Sequence, residues 1–174
     1  MIYLIRHTAP DVAKGVCYGQ SDVGLADSYS AELADIRAKL PDDIALCYSS
    51  PLQRCLRLAN DLFPSKISTD KRLQELDFGD WELKKWNDLG QSGIDWGNNF
   101  VTYRPPNGET VLELHHRVLQ FWQELITKNG SNNFAIITHA GVIRVILAYQ
   151  KGLPLEQAYD ISVTYGQVIS INAV

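Results

Sequence analysis

The sequence predicts a three-layer α/β/α sandwich around a mostly parallel central sheet, and three observations carry that prediction. Strand-like apolar runs alternate with helix-like amphipathic runs along the whole chain, the order in which strand–helix–strand units build a parallel sheet covered on both faces. The chain has 174 residues, 45% hydrophobic and 21% charged. That is enough apolar material for one packed core and too little length for a second, so residues 1–174 are expected to form one domain. Finally, three polar clusters directly follow strand-like runs, the position at which ligands bind such sheets.

Residues 2–5, Ile-Tyr-Leu-Ile, form a short apolar run ending in Arg6-His7-Thr8-Ala9-Pro10, where the proline forces a turn. After a loop holding Gly15, Gly19 and Gly24, Leu33, Ile36 and Leu40 recur at helical spacing behind the capping candidates Asp27 and Ser28. Residues 44–48 read as a second strand. Ser50 is expected to cap the next helix, with Pro51 at its first position and Gln53 closing a capping box. This puts Arg54 in the first turn. Leu52, Leu56, Ala59 and Leu62 give that helix its apolar stripe, Pro64 ends it, and residues 67–69 read as a third strand.

Residues 73–106 lack a clear period, with Trp81, Trp86 and Trp96 set among Gly79, Gly90, Gly93 and Gly97. Short helical turns and loops are expected. Their aromatic load marks residues 77–106 either as a lid or binding insertion or as a satellite cluster under a long loop. Thr110-x-x-Glu113 is a capping box that opens the longest helix, whose stripe of Val111, Leu114, Val118, Trp122 and Leu125 runs to Asn129-Gly130. Residues 134–138 read as a buried strand, His139-Ala140-Gly141 as the turn after it, residues 142–149 as an apolar helix, and residues 167–174 as a closing strand.

Composition excludes several functions. A formal net charge of -4 and a pI near 5.5 provide no broad basic field for nucleic acid. Cys17, Cys47 and Cys55 are odd in number and have no C-x-x-C spacing, so they read as reduced packing residues. The N-terminal run reaches a charge after a few residues and does not resemble a signal peptide. The apolar stretch 135–149 is broken by His139 and Arg144 and is too short to span a bilayer. A cytoplasmic enzyme without a membrane partner is expected.

The three clusters would bring two histidines and two arginines to one small cationic pocket. Arginine forks match tetrahedral phosphate oxygens and keep their charge at any working pH. A helix start after Ser50 or His139 would add backbone N–H donors. With phosphate held, a neutral imidazole can attack phosphorus while the arginines neutralise the equatorial charge. His7 on its strand end is the better-placed nucleophile. A proton donor for the leaving alcohol comes from Glu75, Asp77 or Glu82. No metal or other cofactor is expected, because His7 and His139 lack a third donor and Arg6 and Arg54 would repel a divalent cation. His115 and His116 point about 100° apart on a helix and read as surface or satisfied side chains. Arg144 reads as an internal ion pair or a snorkelling side chain.

The order of these motifs resembles the histidine phosphatase (phosphoglycerate mutase-like) superfamily. Arg6-His7-Thr8 is similar to its Arg-His-Gly/Thr signature, residues 49–54 (Ser-Ser-Pro-Leu-Gln-Arg) to its second arginine motif, residues 73–82 to its acid motif, and Thr138-His139-Ala140-Gly141 to its second histidine motif. The resemblance implies His7 as nucleophile, Arg6, Arg54 and His139 as the phosphate pocket, Glu75 as proton donor, and His139 as a further catalytic group. It places Gln20, Glu82 and Ala140 among candidate substrate contacts. Leu83 stands where the family often has glycine, and residues 25–30 replace its usual Pro-Leu-Thr-x-x-Gly.

The start His-Thr-Ala-Pro and residues 17–22 (Cys-Tyr-Gly-Gln-Ser-Asp) look like the branch that dephosphorylates α-ribazole 5'-phosphate, or adenosylcobalamin 5'-phosphate, in cobalamin nucleotide-loop assembly. The implied partner is a small phosphorylated metabolite, with no nucleic acid. A broad small-molecule phosphatase, a phosphoglycerate mutase-type enzyme and a non-catalytic phosphate-binding module remain as alternatives. Trp81, Trp86 and Trp96 could stack a heteroaromatic base or simply pack the core.

Overall fold

A computed structural model of the chain describes residues 1–129 and 132–172. Among them, β1 (Ile2–Arg6), β2 (Leu46–Ser49), β3 (Ile67–Thr69), β4 (Phe134–Thr138) and β5 (Val168–Ile171) form one sheet in the order β3-β2-β4-β1-β5. β1 to β4 run parallel, and β5 pairs antiparallel with β1. The helices are α1 (Tyr29–Arg37), α2 (Gln53–Leu62), α3 (Gly90–Asn99), α4 (Val111–Asn129) and α5 (Ala140–Gln150). Two expectations extend past the described residues: Gly130 at the end of α4, and positions 173–174 of the closing strand.

The three-layer expectation holds. Every residue of β4 is buried, as a central strand covered on both faces requires. Its side chains alternate between two cores. Phe134 and Ile136 join Ile2 and Leu4 beneath α4 and α5, while Ala135 and Ile137 join Ile5 and Cys47 beneath α1 and α2. Because β4 lies between β1 and β2, their carboxyl ends sit side by side: Arg6 is level with Thr138, and Ser49 with Ile137.

The Thr110 capping box forms as the sequence predicts. The Thr110 hydroxyl accepts from the Glu113 amide at 3.1 Å, and the Glu113 carboxylate accepts from the Thr110 amide at 2.8 Å. The box expected at Ser50 does not. α2 begins only at Gln53, after Leu52 in extended conformation. Ser50 Oγ accepts from the Leu52 amide at 3.3 Å, while Asp22 takes the Gln53 amide at 2.9 Å. Pro51 therefore precedes the helix, and a carboxylate from a distant loop supplies the cap. At α1, Ser28 bonds the Glu32 side chain at 2.6 Å rather than a backbone amide.

Within residues 77–106 the expected short turns appear at Gly79–Trp81 and Trp86–Leu89, but α3 is a ten-residue helix that the sequence does not signal. Its glycines and weak apolar pattern hide it, and none of its residues is fully buried. It is held instead by ring contacts of Trp96 with Phe78, Trp86 and the adjoining Phe100. Leu83, exposed, adopts φ +65°, the left-handed region that a glycine would enter without a steric penalty. No helix among the described residues is long and apolar enough to cross a membrane.

Removing the Thr110 hydroxyl takes away an N-terminal cap on α4. Thr110→Ala should therefore lower stability by about 1 kcal/mol, measured by urea denaturation, with no change of fold by circular dichroism.

Candidate active site

β1, β2 and β4 deliver the predicted residues to one place. His7 follows β1, with its amide donating to the Thr138 carbonyl at 3.0 Å. His139 follows β4 at the entrance to α5. The two rings meet edge to face with centroids 5.1 Å apart. Both are buried, as is Arg54, and Arg6 is partly so.

His7 Nδ1 lies 2.7 Å from the Thr8 carbonyl oxygen. A carbonyl only accepts, so Nδ1 carries the hydrogen and Nε2 keeps the lone pair. Burial, and then the charge of Arg54, hold the His7 imidazole well below its ordinary pKa, against a smaller opposing effect of the Thr8 bond. His139 is lowered too, by burial first and then by His7 and Arg54. Its Nε2 is 2.8 Å from Ser50 Oγ, and Cys55 Sγ packs 3.5 Å from the same nitrogen. Cys55 itself, pushed up by burial, stays a thiol.

The two arginines are held by backbone, not by carboxylates. Arg6 donates to the Val163 carbonyl at 2.7 Å, and Arg54 to the carbonyls of Ser21, at 2.8 Å, and Gly19. Neither takes part in the ion pairs found among the described residues. Among the described residues the buried Nε of each has no acceptor. Arg6 also stacks on Tyr165 at 3.7 Å, and Arg54 lies over Tyr18 at 5.1 Å. The hydroxyls of these two tyrosines are 2.8 Å apart. The sequence offered no sign of this pairing, because Tyr18 and Tyr165 lie 147 positions apart in loops.

Glu75 lines the cavity beside this pocket. One carboxylate oxygen accepts from the Leu76 amide at 2.9 Å and the other from the Gly141 amide at 3.2 Å. A Cβ on Gly141 would collide with that carboxylate, which explains the glycine. The backbone under Glu75 is clamped by Arg117, which donates to the carbonyls of Arg72, Gln74 and Glu75 at 2.7–2.9 Å and pairs with Glu109. Thr138 Oγ1 adds a bond to the Leu73 carbonyl at 2.7 Å. Sequence reasoning missed Arg117; its only trace was a charge on a helix with a clear apolar stripe.

Of the candidate substrate contacts, Ala140 lines the cavity. Gln20 and Glu82 are bonded to the protein's own backbone beside the pocket. The Gln20 side chain donates to the Glu75 carbonyl at 2.9 Å. Glu82 accepts from the amides of Gln20, Ser21 and Phe78 at 2.7–3.2 Å and from the Ser21 hydroxyl. Its carboxylate shapes the 19–21 loop that receives Arg54, and Gly19 leaves space for it. Asp77 likewise binds the Gly79 amide at 2.8 Å. Arg144 is not in an ion pair: it donates to the Ile161 carbonyl at 3.0 Å and lines the cavity. Among the three tryptophans, Trp81 is buried and stacks on Tyr103, while Trp86 and Trp96 face the cavity. Among the described residues no group of three or more His, Cys, Asp or Glu side chains is placed to hold a metal ion.

The fold and the site together define an α/β protein whose strand ends bring two histidines and two arginines to one pocket. Residues 2–173 match the histidine phosphatase superfamily (branch 1), and the chain belongs to it. It is similar to the adenosylcobalamin/alpha-ribazole phosphatase of Escherichia coli, 30% identical over 141 residues, 75% of this chain and 68% of the relative. It is also similar to a protein of Hydrogenobacter thermophilus whose name carries phosphoserine phosphatase, 26% identical over 180 residues, 98% and 88% of the two chains. The crystal structure of the alpha-ribazole phosphatase from Shigella flexneri matches with a TM-score of 0.88 at 26% identity, covering 98% of this chain and 90% of that one.

The lowered histidines make stability depend on pH. Each binds a proton less readily folded than unfolded, so below the ordinary value of 6.5 the unfolded chain takes up protons first. Stability is therefore fully present above pH 6.5 and falls below it, by up to about 1.4 kcal/mol per pH unit for each histidine. Urea unfolding at pH 7.0 and 5.5 should show this loss, and His7→Asn should reduce it. An unchanged slope in the variant would mean that His7 titrates normally.

Proposed function

We propose that the chain is a phosphomonoester hydrolase that works through a phosphohistidine on His7 and takes α-ribazole 5'-phosphate, or the corresponding adenosylcobalamin 5'-phosphate, as substrate. The observation that carries the chemistry is the Thr8 carbonyl on His7 Nδ1, which leaves Nε2 a free lone pair beside the buried Arg54 and the partly buried Arg6. In this reading Arg6, Arg54 and His139 hold the phosphate oxygens. His7 Nε2 attacks phosphorus, the P–O bond to the sugar breaks, and Glu75 in its acid form gives the departing oxygen its proton. The resulting carboxylate then takes a proton from water as that water attacks phosphorus. The P–N bond breaks, its electron pair returns to Nε2, and phosphate leaves with Glu75 protonated again.

The substrate reading is supported by the relatives named for α-ribazole and by the cavity itself. It has a volume of about 320 Å³ and runs from Arg6 and Glu75 to a wall formed by Phe78, Trp86, Trp96 and Tyr159. Aromatic rings of this kind suit a flat heterocycle better than the short hydrated chain of phosphoserine. We take residues 1–174 as one catalytic domain, with residues 77–106 as the insertion that contributes most of the wall. Three unpaired cysteines fit a reducing, cytoplasmic setting.

Metal-free turnover of α-ribazole 5'-phosphate, phosphoserine and 3-phosphoglycerate tests the reading. The α-ribazole ester should be hydrolysed fastest, and His7→Ala should abolish release of phosphate from all three. Turnover that survives in His7→Ala would overturn the mechanism; a preference for phosphoserine would overturn the substrate alone. Phosphoglycerate isomerised rather than hydrolysed would identify a mutase.

Glu75→Gln distinguishes the acid. It should slow the ribose ester by about a hundredfold or more and p-nitrophenyl phosphate, whose leaving group needs no proton, far less. Equal losses with both would remove Glu75 from that role.

A further inference from the structure

Arg54 has no carboxylate partner, yet a carboxylate stands one peptide group away from it. The terminal nitrogens of this fully buried residue donate to the carbonyls of Ser21, at 2.8 Å, and Gly19. The Gly19 carbonyl belongs to the same peptide group as the Gln20 amide, and in a trans peptide the two point in opposite directions. The Gln20 amide donates at 2.7 Å to Glu82 Oε1. Glu82, the Gly19–Gln20 peptide and Arg54 thus form one run of hydrogen bonds, with an anion at the N–H end and a cation at the C=O end. Glu82 Oε1 also accepts from the Phe78 amide at 3.2 Å, and Oε2 accepts from the Ser21 amide at 2.7 Å and from the Ser21 hydroxyl. All four lone-pair sites of the carboxylate are therefore taken. The two segments continue as a short antiparallel ladder: Leu83 donates to the Cys17 carbonyl at 2.6 Å, Cys17 to that of Lys84 at 2.9 Å, and Trp86 to that of Gly15 at 2.9 Å. Gly19, at φ +35°, has no room for a Cβ, which would meet Glu82 Oε1 and the Leu76 carbonyl.

A buried guanidinium held only by neutral carbonyls is costly, whereas a carboxylate placed directly on it would take the donors that a phosphoryl group needs. The intervening peptide meets both demands. An anion on its N–H polarises the group and makes its carbonyl a stronger acceptor, while each terminal nitrogen of Arg54 carries a second N–H. We infer that Glu82 is a positioning residue for phosphate binding: it holds the carbonyl on which Arg54 rests, compensates the buried cation through that peptide, and so raises affinity for the phosphoryl group without touching substrate. The inference rests on the reading above that Arg54 holds phosphate. Glu82 does not line the cavity, and its filled lone pairs set it apart from Glu75, which receives one amide on each oxygen.

The test measures Ki for inorganic phosphate against p-nitrophenyl phosphate, together with kcat/KM for that ester and for α-ribazole 5'-phosphate, in wild type, Glu82→Gln, Ser21→Ala and Thr110→Ala. Glu82→Gln keeps the size of the side chain, removes its charge and turns an NH2 group toward a loop amide. The phosphate Ki should rise by about tenfold or more, and kcat/KM should fall by a similar factor for both esters. Ser21→Ala removes one of the four donors to the carboxylate and should raise Ki by about two- to threefold. Thr110→Ala, which weakens the fold elsewhere, should leave Ki at the wild-type value; an equal rise there would make the effect general loosening and overturn the inference. An unchanged Ki in Glu82→Gln overturns it, as does an unchanged Ki in Ser21→Ala should Glu82→Gln fail to fold by circular dichroism. A loss confined to the α-ribazole ester would make Glu82 a proton donor and also overturn it. These outcomes leave the proposed function standing, whereas a wild type without turnover, or one that phosphate does not inhibit, overturns the phosphate reading of Arg54 and this inference together.

Discussion

Two buried guanidinium groups without carboxylate partners are the constraint on which the rest of the site depends. Arg54 is fully buried and Arg6 partly so, and each is neutralised only by the partial charge of backbone carbonyls. Leaving a cation in that state costs several kcal/mol, so the fold must fix it by other means. It does so with the 19–21 loop, whose carbonyls face Arg54 because Glu82 grips the loop's amides from the other side. Tyr165 and Tyr18 add ring faces beneath the two arginines. Burial first, and then the arginine charge, also lowers the proton affinity of both histidines, which suits the nucleophilic role proposed for His7.

Carboxylates around this pocket are engaged away from the two arginines. Asp22 caps α2, Asp77 binds the Gly79 amide, Glu82 holds the 19–21 loop, and Glu109 pairs with Arg117. Any one of them, drawn onto Arg6 or Arg54, would compete with the phosphate that the proposed function places there. The helix starts are divided in the same way. Asp22 closes the N-terminus of α2, whereas α5 opens at Ala140 on the cavity wall. Of the two helix starts the sequence suggested as anion donors, only the one after His139 faces the site.

What was legible in the sequence were the features that repeat locally. The sheet strands, the α4 capping box and the order of the arginine and histidine clusters follow from periodicity and from residue types at strand ends. What was not legible depends on partners far apart in the chain. Ser50 has every local mark of a helix cap, yet Asp22, 31 positions away from Gln53, supplies it. α3 has glycines where a helix should have a stripe, and contacts of Trp96 with rings outside α3, those of Phe78, Trp86 and Tyr159, secure it. Leu83 stands in the left-handed conformation that a glycine would enter without a steric penalty. The bonds of Gln20 to the Glu75 carbonyl and of Glu82 to the amides of Gln20, Ser21 and Phe78 join segments far apart in the chain, which no local pattern announces.

The placement of Glu75 follows from the same electrostatics. In the proposed mechanism Glu75 delivers a proton to the leaving oxygen, and among the described residues no guanidinium pairs with its carboxylate. The fold therefore positions Glu75 through its backbone: Arg117 clamps the carbonyls of residues 72, 74 and 75, Thr138 adds a bond at Leu73, and Gln20 donates to the Glu75 carbonyl. The side chain is then steered by the amides of Leu76 and Gly141, on the α5 side of the cavity. Arg117 spends its charge on Glu109 and three carbonyls, so a cation underlies the acid without pairing with its carboxylate. Acid and cations can thus share one small cavity only because rigid main-chain contacts, which no neighbouring charge can redirect, keep them apart.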